Sequence, residues 1–411
     1  MKKIIIILSL LLLVGCAAET PPPVMNETVP VQGEADLSPT PPENEMAEPE
    51  TPIEITPEEP PEPEIDPKTE TINEILADMT LAEKVGQLFF VRCPAAHQVE
   101  LIKTYHLGGC LLFQRDFKNS SDEWLTYDEF TEKISAYQSA SPIPLLIGVD
   151  EEGGSVIRAS RNPNLFPSKC KSPRKLFASG GMTAIAVDAF DKSAALLDLG
   201  INVNFAPVAD VSTDPDDFIY DRTLGQDAAA VSDYVKTVVG EMESAKIGSV
   251  LKHFPGYGNN KDTHTGIAVD ERPYETFTTA DFLPFAAGIT AGADSVLVSH
   301  NIVTCMDASL PASLSPEVHR ILREELGFEG VILTDDLAMD AVEEYAEDGS
   351  AAVLAILAGN DMVLTTDFET QIPLVIAAVT DGTIPMDLID SAVRRVLSWK
   401  YELGLLEDTH D

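Results

Sequence analysis

Residues 248–254, GSVLKHF, stay apolar except for Lys252 and His253 near their end, and residues 255–271, PGYGNNKDTHTGIAVDE, turn at once to Pro, Gly and Asn. A run with so little alternation suits a strand buried on both faces, as in a parallel sheet covered by helices. Seven further runs of the same kind lie on either side: LFFV (88–91), GGCLLF (108–113), LLIGVD (145–150), VNFAPVAD (203–210), SVLVSH (295–300), GVILTDD (330–336) and MVLTT (362–366). The segments between them are long enough for helices, among them EEYAEDGSAAVLAILAGN before the last run and MDLIDSAVRRVLSWKYELGLL after it. Strand and helix repeated eight times predict an α/β fold of the (β/α)8 TIM-barrel type in a single catalytic domain. A doubly wound open sheet is the alternative, but no Gly-rich phosphate loop follows the early strands.

The chemistry sits at the ends of these runs. Asp150 closes the third, Asp210 the fourth, Lys252 and His253 the fifth, His300 the sixth, and Asp335 with Asp336 the seventh. One polar strand end is commonly a cap or a solvated residue. Five of them in a barrel converge over one mouth. Pro255, Gly256, Gly258 and the Asn pair predict an extended, mobile loop after the fifth strand. Within that loop Asp262 and His264 lie two apart. A turn there lets the carboxylate hold one imidazole nitrogen and leaves the other for proton transfer. The set contains neither a cysteine nucleophile nor a G-x-S-x-G elbow, so acid/base work with a carboxylate nucleophile is the natural reading. A metal site built from Asp262, His264, His253 and His300 is the competing one, opposed by the Lys252 ammonium beside His253. No cofactor or metal is expected.

The chain opens MKKIIIILSLLLLVGC, two lysines before an apolar run that ends in small residues at Cys16, which is the layout of an export signal. Its Leu13-Val14-Gly15-Cys16 ending resembles the lipobox of bacterial lipoproteins, which predicts diacylglycerol on Cys16 and an extracytoplasmic, membrane-anchored protein. Residues 17–70 hold about half of the chain's 29 prolines and almost no aromatics, so a disordered, self-repelling tether is expected there. The expected division is therefore 1–16 signal, 17–70 linker and 71–411 catalytic barrel. The net charge of −41 from 68 acidic and 27 basic residues opposes nucleic acid as a partner. Cys93, Cys110, Cys170 and Cys305 show neither metal spacing nor scaffold density, and are expected as buried thiols or at most a bridge or two.

K-H-F-P-G (252–256) followed by D-T-H (262–264), together with GFEGVILTDDLAMDA (327–341), resembles the β-N-acetylhexosaminidase branch of glycoside hydrolase family 3. The likeness begins at MTLAEKVGQLFFV, passes through GGCLLFQRDF, IGVDEEGGSVIR, NFAPVADV, DRTLGQD and AGADSVLVSH, and closes at RRVLSWKYELGLL. It implies a barrel in which Asp335 is the nucleophile and His264 with Asp262 the acid/base pair. Asp150, Arg222, Lys252 and His253 match residues that hold the terminal sugar. The implied reaction is retaining, exo-acting hydrolysis of terminal β-linked N-acetylhexosamine from peptidoglycan fragments or related amino-sugar glycans, by a monomer. Tyr257 stands where the branch commonly has a second histidine, Glu151 replaces a frequent glutamine, Ser155 a frequent arginine, and Thr223-Leu224 replace Ser-Phe. SKCKSPRKLFASGG (168–181) is unlike the branch's usual small-residue helix start. These departures leave the leaving-group side unspecified. A family 3 β-glucosidase and a non-catalytic wall-binding lipoprotein are the alternatives. The first of these relatives usually takes its acid/base from a second domain, which this chain is too short to supply.

Overall fold

The computed structural model describes residues 66–260, 268–339, 342, 345–346 and 350–406. The expected signal segment and most of the linker, and both Asp262 and His264, lie outside these residues. The first described helix, Pro67–Asp78, starts on the Asp66 cap, so the expected boundary at residue 71 falls inside it. The next, Leu81–Gln87, is opened by a capping box: Thr80 accepts from the Glu83 backbone N–H and the Glu83 carboxylate accepts from the Thr80 backbone.

Eight strands form one parallel sheet in the order β10-β1-β2-β3-β4-β5-β7-β9. They are β1 (Phe89–Arg92), β2 (Gly109–Leu112), β3 (Leu146–Val149), β4 (Val203–Asn204), β5 (Gly248–Phe254), β7 (Ser295–Val298), β9 (Val331–Thr334) and β10 (Val363–Thr365). A parallel bridge from Leu333 to Met362, with the Met362 N–H donating to the Ile332 carbonyl at 3.1 Å, brings β9 against β10 and nearly closes the ring. A separate pair, β6 (Val269–Asp270) with β8 (Ile302–Val303), ties the ends of two loops above the barrel. The eight apolar runs are therefore the eight barrel strands, although the fourth is regular over only two residues.

Inside the ring, Phe90 of β1 meets Phe205 beyond β4 edge to face at 5.1 Å. Gly148 of β3 lies between them, and a Cβ there would stand 2.8 Å from the Phe90 ring and 2.7 Å from that of Phe205. Small against large fills the barrel in this way without a void. The unusual segment 168–181 forms the start of the long helix Pro173–Asp198, with Ser172 as its cap and a break at Gly180 and Gly181. Among the described residues the four cysteines are free thiols. Cys93 and Cys110 are buried as expected, whereas Cys305 is exposed because it follows the short edge strand β8.

Lys400 lies in the apolar core, away from the strand ends. The helix Met386–Glu402 buries Ile389, Ala392, Val393, Val396 and Leu397, and Lys400 continues that stripe. Its ammonium donates to the Gln87 side-chain oxygen at 2.6 Å. Burial pushes it down to about 7 from an ordinary value of 10.5. Between those values the unfolded chain binds a proton that the folded chain releases, so this residue's contribution to stability rises with pH across that window. Lys400→Met should therefore gain thermal stability relative to the parent at pH 6, and that advantage should shrink steadily between pH 7 and pH 10. A difference independent of pH in paired melting curves would show that the ammonium stays charged in the fold.

Candidate active site

At the C-terminal end of the strands, a cavity of about 330 Å³ is lined by Asp150, Lys252, His253, Arg222, Asp335 and Asp336 among others. Its floor is apolar, with Phe205, Leu111, Leu297 and Leu364.

The polar wall is one connected network. Lys252 reaches inward from β5 and places its ammonium 2.7 Å from an oxygen of Asp150 and 2.7 Å from one of Glu152. Arg222, on the turn after β4, grips Glu152 through two bonds, Nε to Oε2 at 3.0 Å and Nη2 to Oε1 at 2.7 Å. The same Nη2 lies 3.0 Å from Nε2 of His253. A guanidinium can only donate, so Nε2 accepts, and the ring proton sits on Nδ1, which donates to Asp210 at 2.8 Å. Asp210 also accepts from the backbone N–H groups of His253 and Tyr257. Burial by itself would raise the Glu152 carboxyl, but Arg222 and Lys252 outweigh it and hold the group well below the ordinary carboxylate range.

Asp335 leaves the tip of β9 with its backbone N–H bonded to the Val298 carbonyl at 2.9 Å, and its carboxylate accepts from the Asp336 N–H at 2.9 Å. Burial pushes the Asp336 carboxyl up, and the neighbouring Asp335 adds to this. His300 is fully buried beneath them. Its Nε2 lies 3.0 Å from the Asp336 carbonyl oxygen, to which it can only donate, and its Nδ1 is 2.7 Å from the Ser313 hydroxyl. Of the expected strand-end residues, Asp150, Lys252, His253, Asp335 and Asp336 thus line the cavity, while Asp210 and His300 stand behind it as supports. His253 and His300 are committed to these partners, and the Lys252 ammonium occupies the space between the two carboxylates where a cation would have to sit.

The loop after β5 departs from expectation at its entry. Pro255, Gly256, Tyr257 and Gly258 are buried, because Asp210 holds the Tyr257 N–H and Arg272 packs over the glycines. Arg272 donates to the Gly256 carbonyl at 3.1 Å, to Asp270 at 2.8 Å and to Asp281 at 3.0 Å, so one guanidinium ties the entry and exit stems together. A Cβ at Gly258 would lie 2.2 Å from that guanidinium, and the residue's φ of 52° is left-handed. Asp262 and His264 follow the entry stem in sequence and lie outside the described residues.

Three of the sequence departures, Glu151, Tyr257 and Thr223, have local explanations. The buried Glu151 carboxylate accepts from the backbone N–H groups of Arg158 and Ala159, both at 2.8 Å, and from the Ser160 hydroxyl. Tyr257 lies edge-on against His253 at 4.9 Å and against Phe218 at 5.7 Å. Thr223 accepts from the Gly225 N–H and shapes the turn that carries Arg222. Reading the sequence missed Glu152, Arg92 and Arg158. A carboxylate immediately before Gly153-Gly154 and an arginine at the tip of the first run were the available signals.

Residues 80–399 match the family described as glycosyl hydrolase family 3 N terminal domain. The beta-hexosaminidase LpqI of Mycobacterium tuberculosis is 32% identical over 332 residues, 77% of this chain and 82% of that one. A beta-hexosaminidase of Xylella fastidiosa is 32% identical over 319 residues, 76% of this chain and 91% of that one. Among solved structures, a glycoside hydrolase family 3 beta-N-acetylglucosaminidase from Paenibacillus superposes with a TM-score of 0.73 at 29% identity. That match covers 81% of this chain and 65% of the longer relative.

Glu152→Gln removes the charge that both buried cations share, and breaking one side of such a pair costs about 3 kcal/mol. The folded carboxyl lies below its ordinary value near 4.5, so the contribution is present above that pH and fades as pH falls through it. Denaturant titration should show the deficit throughout pH 5 to 8 and a narrower one below pH 4. A deficit under about 1 kcal/mol at pH 7 would mean that Arg222 and Lys252 find other partners.

Proposed function

Because this chain belongs to glycosyl hydrolase family 3, we propose that it is a retaining exo-β-N-acetylhexosaminidase, with Asp335 as nucleophile and the His264–Asp262 pair as acid/base. The observation that carries the reading is the cavity itself. A carboxylate at the tip of β9 faces a wall of paired cations and carboxylates, Asp150, Lys252, Glu152, Arg222 and His253, arranged to hold sugar hydroxyls.

In this scheme Asp335 attacks the anomeric carbon while His264 protonates the departing glycosidic oxygen, leaving the sugar esterified to Asp335. His264 then takes a proton from water as the water oxygen attacks the same carbon, and the Asp335–sugar bond breaks. Two inversions give retention. Asp262 in this reading holds the far nitrogen of His264 and stabilises the imidazolium that exists before the first step and is re-formed in the second. Arg272 fixes the described stems on either side of the segment that carries this pair.

The substrate proposed is peptidoglycan fragments or related amino-sugar glycans, cleaved by a monomer outside the cytoplasm. The anchor is diacylglycerol on Cys16, supported by the Leu13-Val14-Gly15-Cys16 ending and the Pro- and Glu-rich stretch that follows. Replacing Cys16 with Ser should move the protein from the membrane fraction to the soluble one. Retention on the membrane would remove the anchor from the proposal.

Activity is tested with paired chromogenic substrates, N-acetyl-β-glucosaminide against β-glucoside. Clear preference for the acetamido sugar is expected, with Asp335→Ala abolishing turnover in a protein that melts as the parent does. Preference for the glucoside would move the chain to the glucosidase reading, and silence on both to the wall-binding one. Replacing His264 should hurt substrates with poor leaving groups far more than those with good ones. Equal losses would take the acid role away from it.

A further inference from the structure

Residues 153–187 contain six cations and no acid, in a chain whose net charge is −41. Three of the six are occupied. Arg158 lines the catalytic cavity, Arg161 donates to the Ile157 and Ser155 carbonyls, and Arg174 pairs with Asp221 at 2.6 Å. Lys169, Lys171 and Lys175 are exposed, and their ammonium groups have no hydrogen bond or ion pair among the described residues.

Lys169 and Lys171 line a groove of about 680 Å³, far from the strand ends in its chemistry, between the segment 166–171 and the helix Pro173–Asp198. Beyond its break at Gly180 and Gly181 that helix buries Ile185, Ala189, Ser193 and Leu196. Thr183, Val187, Phe190 and Ala194 recur at helical spacing on the opposite face and are all exposed, Val187 at 56% and Phe190 at 55%. Two acids share the groove. Asp188 is neutralised by Lys192 at 2.9 Å, and Asp191 has no ion pair among the described residues.

A largely apolar helix face rimmed by lysines fits a partner that is apolar and anionic together. A second copy docked through Phe190 would bring two lysine rims and two acidic bodies against each other. A soluble polyanion would answer the lysines and leave Val187 and Phe190 in water. An anionic lipid surface answers both, with phosphates for the ammonium groups and the headgroup boundary for the two side chains. The rest of the chain is acidic and repelled by such a layer, which favours contact through this face.

We propose that the outward face of the helix Pro173–Asp198, with its rim of Lys169, Lys171 and Lys175, is a docking surface for anionic phospholipid. The proposal rests on the membrane-anchored reading of Cys16 and adds an orientation to it. A helix on a barrel wall points its outer face away from the barrel axis, so a barrel docked in this way lies on its side and its mouth stays open along the membrane.

The test is co-sedimentation of the chain from residue 16 onward, carrying Cys16→Ser, with vesicles of phosphatidylcholine alone and of equal parts phosphatidylcholine and phosphatidylglycerol. Without an acyl chain, binding reports the face, whereas fractionation of the unaltered protein reports the anchor, so the two readings fail separately. Binding to the anionic vesicles at low salt is expected, about tenfold or more stronger than to the neutral ones and lost in high salt. Lys169→Gln combined with Lys171→Gln should weaken it about tenfold or more. Phe190→Ser should weaken it severalfold, and both variants should melt as the parent does. Either variant carries the test should the other fail to fold. Absence of any preference for the anionic vesicles overturns the proposal. Loss in the lysine variant with none in Phe190→Ser overturns it in favour of a soluble polyanion, and a dimer abolished by Phe190→Ser, in place of vesicle binding, overturns it in favour of a second copy.

Discussion

The Glu152 carboxylate, buried between Arg222 and Lys252, is the contact on which the site's geometry depends. A lone carboxylate in that position would protonate, and either cation alone would be too costly to bury. Together they fix three pieces of chain: the loop after β3, the turn after β4 and β5 itself. The three consecutive acids at 150–152 have three separate fates. Asp150 faces the cavity, Glu151 turns back to gather the N–H groups of its own loop, and Glu152 goes under the cavity wall to the cations. The Asn204 side chain at the end of β4 binds both the N–H and the carbonyl of Glu151, which holds that alternation in place.

Beyond this network the structure separates groups that face the cavity from groups that hold them. Asp210 orients His253 and also holds the Tyr257 N–H, so one buried carboxylate fixes both the end of β5 and the first residues that follow it. His300 does the corresponding work beneath the seventh strand end, joining Ser313 to the carbonyl of Asp336. Supports of this kind restrict the reacting groups to a narrow range of positions before any sugar arrives, which is where much of an enzyme's advantage over solution originates.

Much of this was legible in the residues. Eight apolar runs without alternation can be buried only in a covered parallel sheet, and their polar ends identified Asp150, Lys252, His253 and Asp335 as neighbours. The reading failed where a residue's role turns on its partner. Glu152 and Lys252 are one hundred positions apart, and only the nearly closed ring brings them together. Lys400 continues a buried stripe and bonds Gln87, a partner more than three hundred positions away. Tyr257 sits in a Gly- and Pro-rich stretch that reads as loose and is packed by a carboxylate from another strand.

What the sequence determined by itself was the number of strands, the mouth at which their polar ends meet, and the family of chemistry those ends serve. Hydrophobic periodicity and residue type act along the chain, so they survive without the fold. What only the tertiary structure decided was which charges are paired and which are left unpaired: Lys252 and Arg222 satisfied, Lys169 and Lys171 without an ion pair among the described residues. Ion pairing depends on ångström distances between strands far apart in sequence, and those distances exist only once the barrel has formed.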